Sequence, residues 1–148
     1  MIIKKILPLL LLILIGCSEP INKVDLNYRN EVYYSKDTNQ LYTGKVVSFY
    51  PDGQIFEEET LKNGKANGLY KVYYPNGQLL EEGTYIDGIS NGLFKKYYKS
   101  GQLESERYWK NGRSDGHWKF YYEHGTLEKW IIYENGKVIS KSPFFSFF

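Results

Sequence analysis

The chain has 148 residues and a mass of 17.4 kDa, with 19 lysines and arginines against 17 aspartates and glutamates. This length suits one domain, because an independent core usually needs roughly 100 to 150 residues. Lysine and arginine never run longer than two residues, so the basic stripe that a phosphate backbone requires is missing and we expect no nucleic-acid partner.

The first segment has the order of a secretory signal. Lys4 and Lys5 precede an apolar run over residues 6–15. Ten residues are too few to cross a bilayer, which takes about 20 apolar residues in a helix. We therefore predict a signal peptide over residues 1–16, with its apolar part forming a short N-terminal signal helix.

The apolar run ends in Leu14-Ile15-Gly16-Cys17-Ser18, which resembles a lipobox, the motif whose cysteine receives diacylglycerol. Cys17 is the only cysteine, so no disulfide forms within the chain. A lone cysteine is more often a small buried hydrophobe or a free thiol, but the position of Cys17 at the expected cleavage point favours lipidation. Residues 17–27 are then a lipid anchor and a short tether.

Lipidation of Cys17 would place the protein in the cell envelope, because each buried acyl methylene contributes about 0.8 kcal/mol and several chains together anchor firmly. In Gram-negative bacteria Ser18 after the cysteine is compatible with the outer membrane. Otherwise we expect the extracytoplasmic face of the plasma membrane.

Beyond the tether the glycines fall on a lattice of 24 residues. Four units follow one another without gaps, over residues 44–67, 68–91, 92–115 and 116–139. Glycine recurs at the first, tenth and twenty-first positions of each unit, and only Gly16 and Gly83 lie off this lattice. Residues 28–43 look like an N-terminal half-unit, since repeat arrays need atypical ends. The whole repeat domain is predicted over residues 28–139.

Each unit reads as a β-hairpin. The first arms (46–50, 70–74, 94–98 and 118–122) are rich in aromatic and β-branched residues. The second arms (55–61, 79–86, 103–109 and 127–133) carry acids that we interpret as a solvated face, Glu57, Glu58, Glu81, Glu82, Glu104 and Glu106. Type I′ hairpin turns favour Asx-Gly pairs, and we predict such turns at Asp52-Gly53, Asn63-Gly64, Asn76-Gly77, Asp87-Gly88, Asn111-Gly112 and Asn135-Gly136.

The unit resembles the MORN repeat variant, in which Gly-x-aromatic leads through Tyr-Tyr-x-Asn-Gly-Gln-Leu to acidic residues and a second Asn-Gly. The resemblance covers residues 28–138 and is carried best by residues 68–79, together with Gly116-His117-Trp118 and Tyr121-Tyr122. It implies hairpin repeats and protein contacts, without any catalytic residue. Proteins of this kind are often bacterial lipoproteins, and some carry an antitoxin label.

The predicted fold class is therefore all-β: an elongated antiparallel meander of hairpin repeats in a single layer. Four units and a half-unit would give nine or ten strands, and about 40 to 45 Å of sheet at roughly 4.8 Å per strand. A single layer builds no thick core, so we expect its stability to come from cross-strand pairs summed over neighbouring units.

The aromatic residues admit two interpretations. The 15 tyrosines are most simply rungs that join one unit to the next. The alternative is an exposed binding platform. Both interpretations hold if the rungs and the binding platform lie on opposite faces of the sheet. The candidate residues of the platform are Tyr70, Tyr74, Phe94, Tyr98, Trp118 and Tyr122.

Residues suited to catalysis or metal binding are few. His117 and His124 are the only histidines, and both replace ordinary residues of the other units. The glutamate pairs could form a glycosidase dyad, but their repetition on the unit period favours a polar face. We expect no enzymatic activity, no cofactor and no metal.

The sequence thus favours a membrane-anchored, non-enzymatic protein-interaction or scaffold module with an unidentified protein partner, and an antitoxin-like or immunity-like role is one form that this module could take. The alternative is a cell-wall or glycan-binding repeat protein. The apolar tail over residues 140–148 needs a burial partner. We expect it to fold over the last hairpin or to close the exposed edge strand, with insertion into a membrane or a partner groove as the alternative.

Overall fold

The computed structural model describes residues 19–143. The predicted signal helix, Cys17 and the phenylalanines at the end of the tail lie outside these residues. Within residues 19–143 no helix is long and apolar enough to span a membrane.

Fourteen strands and one 3-10 turn make up the described chain. The N-terminal elements are β1 (Ile21–Asn22), the 3-10 turn (Lys23–Asp25), β2 (Leu26–Arg29) and β3 (Val32–Ser35). The repeat units contribute β4 (Gly44–Phe49), β5 (Ile55–Lys62), β6 (Lys65–Tyr73), β7 (Leu79–Ile86), β8 (Ile89–Ser90), β9 (Gly92–Tyr97), β10 (Leu103–Lys110), β11 (Arg113–Ser114), β12 (Gly116–Tyr121), β13 (Leu127–Glu134) and β14 (Lys137–Lys141).

One long sheet contains twelve of the strands. Its main path runs β1-β4-β5-β6-β7-β9-β10-β12-β13-β14, while the short strands β8 and β11 pair with β7 and β10. All these pairings are antiparallel except β1 with β4, which is parallel. The prediction of an all-β antiparallel meander is confirmed.

The N-terminal end differs from the predicted half-unit. The hairpin β2–β3 forms a separate two-stranded sheet instead of extending the ribbon, because the outer edge of β4 is taken by β1. The hairpin packs on the first strands of the long sheet, where Leu26, Val46 and Leu61 form a buried cluster against Tyr33 and other partly buried residues. We call residues 21–35 the N-terminal cap.

Two kinds of turn alternate along the array, which corrects the prediction of one kind. Asn63, Asp87, Asn111 and Asn135 have φ between 48° and 51° and precede glycines of positive φ, as type I′ turns require. At residues 50–54 and 74–78 only the glycine has positive φ, and the register shifts by a bulge beside the turn. Pro51 and Pro75 suit this turn, because it needs a negative φ before the glycine bulge, but the same backbone bonds form at residues 98–102 and 122–126 without a proline.

Each strand presents its side chains alternately to two faces. We call the face that carries Tyr70, Phe94 and Trp118 the aromatic face, and the opposite one, with Lys71 and Lys95, the charged face. The predicted acidic face is wrong as stated, since neighbours in a strand point in opposite directions. Glu57, Glu59 and Glu81 lie on the aromatic face, whereas Glu58, Glu82 and Glu106 lie on the charged face.

Candidate interaction face

Six aromatic rings follow one another across six strands of the aromatic face. We call them the aromatic row: Tyr70, Tyr85, Phe94, Trp109, Trp118 and Tyr133. Successive ring centroids are 5.3, 5.5, 6.4, 5.0 and 4.8 Å apart, with edge-on or tilted planes. Such contacts contribute about 0.5–1.5 kcal/mol each beyond burial. The row therefore joins neighbouring units while leaving its rings half-buried at the surface, apart from Phe94.

Phe94 is the buried centre of the row, with 3% of its surface exposed. Its ring lies directly on Gly83, where an added Cβ would come within 2.3 Å of the ring carbons. Gly83 does not have a positive φ, so no turn requires a glycine at this position, which lies outside the repeat lattice. The close approach of the Phe94 ring explains it instead.

Charged side chains border the row. Arg107 forms an ion pair with Glu81, and its guanidinium carbon lies 6.0 Å from the centre of the Trp118 ring. Arg107 Nε is buried without an acceptor among the described residues. Further along, Lys96 pairs with Glu104 at 2.7 Å. The pair of Arg107 with Glu81 holds a cation beside an aromatic ring, an arrangement common at protein interfaces.

Near the C-terminal end, Lys129 Nζ lies 4.9 Å from the centre of the Phe120 ring. Its nearest carboxylate, Glu128, is 3.7 Å away, beyond a hydrogen bond. Lys129 is thus a weakly paired cation over an aromatic surface.

The N-terminal cap covers the other end of the aromatic face. Lys23 Nζ lies 2.5 Å from Glu57 and 2.6 Å from Glu59. Burial raises the pKa of the Glu59 carboxyl, and Lys23 opposes that rise. Burial acts to lower the pKa of Lys23, but hydrogen bonds to the two glutamates outweigh it and the pKa lies above its ordinary value. The cap therefore neutralises the acidic end of this face and leaves the aromatic row uncovered.

A second set of tyrosines forms a ladder at the type I turns. The hydroxyl of Tyr50 donates to the carbonyl of Tyr73, that of Tyr74 to Tyr97, and that of Tyr98 to Tyr121, at 2.7 to 2.9 Å. Each bond spans 23 residues and so joins one unit to the next. These hydroxyls hold the units in register, as the interpretation of tyrosines as rungs requires.

The charged face has a parallel series of tyrosine–glutamate bonds, namely Tyr73 to Glu58, Tyr97 to Glu82 and Tyr121 to Glu106, at 2.7 to 3.2 Å. Burial and the bonded carboxylate raise the pKa of Tyr73 to about 12, and the same causes raise that of Tyr97 to about 12. The glutamates on this face are bonded structural groups, not merely solvated ones.

The six candidate binding residues are therefore divided. Tyr70, Phe94 and Trp118 share the aromatic row, whereas Tyr74 and Tyr98 belong to the tyrosine ladder. Tyr122 is exposed and stacks on His124 at 5.4 Å.

Sequence reasoning missed the second-arm half of the row. Tyr85, Trp109 and Tyr133 recur at the eighteenth position of their units, a period that could have revealed them. They were missed because acidic residues dominate the second arms. In addition, only the register of strand pairing shows which positions of two arms face one another.

The described part of the chain brings together no cluster of side chains of the kind that binds a metal ion. Residues 19–143 contain no group of three or more histidine, cysteine, aspartate or glutamate side chains placed to hold a metal. His117 faces Ile132 across β12 and β13, and His124 contacts the Thr126 hydroxyl at 2.5 Å.

Comparison with known proteins agrees with this geometry. The MORN repeat variant model matches residues 42–63, 66–87, 90–111 and 114–129, which together exceed half of the chain. The starts of these segments are 24 residues apart, the period of the hairpins. No curated protein matches the chain. The chain belongs to the MORN repeat variant family.

Proposed function

We propose that this protein is a lipid-anchored interaction module of the bacterial envelope, and that its aromatic row contacts a partner protein. MORN repeats indicate a repeat-based protein-interaction module. The single observation that carries the proposal is the uninterrupted aromatic row, bordered by Arg107 and Lys96. Tryptophan, tyrosine and arginine supply most of the binding energy at protein interfaces.

The row also suits binding because its rings are already ordered. Each ring is held by its neighbours in the row, so little side-chain entropy is lost when a partner docks. The face extends over several units, which favours an elongated partner segment over a small molecule.

Site-specific photo-crosslinking tests this proposal without removing the row. A benzoylphenylalanine at Tyr133, within the row, should crosslink one defined envelope protein in living cells. The matched control places the same group at Tyr108, which is 41% exposed and lies on the charged face. Equal crosslinking from both positions, or none from Tyr133, would count against the aromatic row as the interface.

The membrane anchor is supported by the lipobox at Cys17. If Cys17 is lipidated, only three residues separate it from β1, and about 3.3 Å per residue places that strand within roughly 13 Å of the lipid. The array would then extend outward from its capped end.

Metabolic labelling with a fatty-acid analogue should mark the wild-type protein and not the Cys17→Ala variant. Label retained by the variant would refute the anchor.

An antitoxin or immunity role is a special case of partner binding. It would require that a toxin encoded beside this gene be neutralised on co-expression.

The stacked rings also favour glycan binding as a second candidate function, because sugar faces stack on aromatic rings. Retention of the protein on purified cell-wall glycan, lost in Trp109→Ala and Trp118→Ala but kept in Tyr108→Ala, would favour the glycan over the protein partner.

A further inference from the structure

The charged face carries one row of side chains whose charge alternates in sign from strand to strand. The register sets a glutamate directly opposite a lysine in five successive strand pairings, from β5 to β12. We call the six residues the charge row: Glu58, Lys71, Glu82, Lys95, Glu106 and Lys119. Because the two signs balance, the row disfavours an anionic polymer or an anionic membrane as its ligand.

The charges of this row are only partly engaged within the chain. Tyr73, Tyr97 and Tyr121 each donate a hydrogen bond to one carboxylate oxygen of a glutamate, so the second oxygen still has room for a donor. Among residues 19–143, the three lysines of the charge row take part in no ion pair or hydrogen bond. Their ammonium groups are therefore available to carboxylates from outside the chain.

A stripe of exposed apolar side chains runs beside the charge row. Leu69, Leu93 and Tyr108 each lie two positions along the strand from a member of the row, so they point to the same face. Their exposed fractions are 53%, 45% and 41%. Exposed apolar surface rimmed by charged residues is typical of a protein-binding surface.

We propose that the charged face is a dimerisation surface, on which a second copy of this chain packs face to face. The two-fold axis runs parallel to the strands, midway between β7 and β9. This rotation reverses the order of the strands, so each lysine of one charge row meets a glutamate of the other. The facing pairs, each formed twice, are Glu82 with Lys95, Lys71 with Glu106, and Glu58 with Lys119.

Charge complementarity selects this axis. An axis running along the charge row would set every charge against its own copy, and like charges at close quarters are costly. Moving the axis to the gap between β6 and β7 would set Glu106 opposite Val47. Only the midpoint between β7 and β9 pairs all six charges. It also brings Leu69 of one copy onto Tyr108 of the other, across the gap of about 10 Å that separates packed sheets.

The dimer goes beyond the proposed interaction function and does not depend on it. Each copy packs through its charged face, so both aromatic rows stay on the outside of the pair. The two N-terminal caps lie at opposite ends, because the rotation reverses the strand order. Two anchored copies therefore pair only with their arrays antiparallel.

Charge reversal tests the pairing, with the dimer dissociation constant of the full chain in detergent measured by sedimentation. Lys71 and Glu106 are separated by β7 and β9 within one chain, so they meet only between copies. Lys71→Glu should weaken the dimer about tenfold or more, and adding Glu106→Lys should restore it to within about threefold. Within one chain the second change adds repulsion from Lys95 and Lys119, so improved folding does not explain a rescue.

The matched control Lys99→Glu reverses an exposed lysine in a turn and should leave the dissociation constant unchanged. A wild-type chain that stays monomeric at roughly 100 µM would overturn the proposal. So would a double variant that dimerises no better than Lys71→Glu alone, because the two charges would then not face each other.

Photo-crosslinking in living cells tests the geometry. Benzoylphenylalanine at Leu69 should give a homodimer whose crosslinked peptide contains Tyr108, and the same group at Tyr108 should also capture a second copy. Adducts with a different protein, or homodimers crosslinked through the aromatic row, would contradict a dimer on the charged face. Loss of the homodimer in Lys71→Glu, with the partner adduct of Tyr133 retained, would separate this surface from the proposed interaction face.

Discussion

Single residues decide whether the hairpins can close on one another, and Gly83 is the clearest case. Any side chain at this position collides with the buried ring of Phe94, although the backbone conformation would accept alanine. We therefore expect Gly83→Ala to lower the free energy of unfolding by about 1–3 kcal/mol, the usual cost of overpacking. Urea unfolding followed by circular dichroism measures this loss.

The control for Gly83→Ala is the same change combined with Phe94→Leu, which removes the ring that the methyl group meets. If steric contact is the cause, the two losses will be less than additive. Strict additivity would mean that Gly83 matters for another reason.

The phenol of Tyr73 makes a contribution to folding stability that depends on pH. Burial and Glu58 raise its pKa to about 12, so folding favours the protonated phenol. This contribution to stability is complete below the unfolded pKa of about 10 and is lost as the pH rises through about 12. Glu58→Gln should lower the pKa of Tyr73 part of the way towards 10, because burial, the larger cause, remains.

The ring-carbon chemical shift of Tyr73, followed from about pH 9 upward through its midpoint, reports this pKa directly. Glu106→Gln is the matched control, since that carboxylate bonds Tyr121 instead. An unchanged Tyr73 midpoint in Glu58→Gln would show that the hydrogen bond does not contribute to the shift.

At the scale of elements, the hairpin of the N-terminal cap contains one unfavourable residue. Asn30 and Glu31 form its two-residue turn with φ of 50° and 62°, where the other type I′ turns have glycine second. A left-handed conformation costs a non-glycine residue about 1 kcal/mol or more. Glu31→Gly should therefore raise the free energy of unfolding of the cap by about 1 kcal/mol, measured as slower amide exchange at Tyr33.

Glu31→Ala separates backbone strain from loss of charge. It removes the carboxylate but keeps the Cβ, so the account predicts no comparable gain. Equal stabilisation by alanine and glycine would show that the carboxylate, and not the positive φ, was unfavourable.

The elements also show what sequence can and cannot predict. The Asx-Gly lattice predicted the hairpins and their order, because positive φ leaves few choices of residue at a turn. It did not distinguish the turns at residues 50–54 and 74–78, where only the glycine has positive φ and a bulge shifts the register. The prediction placed all the acids on one face because the second arms are rich in acids. Glu57 and Glu58 are neighbours in a strand, however, so their side chains must point to opposite faces.

The candidate site was predicted only in part for a related reason. First-arm rings such as Phe94 and Trp118 stand in recognisable motifs, whereas their partners depend on cross-strand register. The position of the cap could not be predicted either, since Lys23 meets Glu57 and Glu59 only after a fold-back of about 35 residues. Long-range pairing of this kind has no local signature.

For the molecule as a whole, the central claim is that equivalent 24-residue hairpins stack in one register and form one continuous sheet. Removing residues 92–115 should then join β7 to β12 and bring Trp118 over Gly83. The shortened protein should keep its β-type circular dichroism and unfold cooperatively at lower denaturant, because repeat stability sums over neighbours.

Small-angle X-ray scattering on the protein without residues 92–115 is the most direct test. Two strands at about 4.8 Å each predict a maximum dimension shorter by roughly 10 Å, with the folded signature retained. An expanded, unfolded scattering profile, or an unchanged maximum dimension, would contradict a sheet built of interchangeable units.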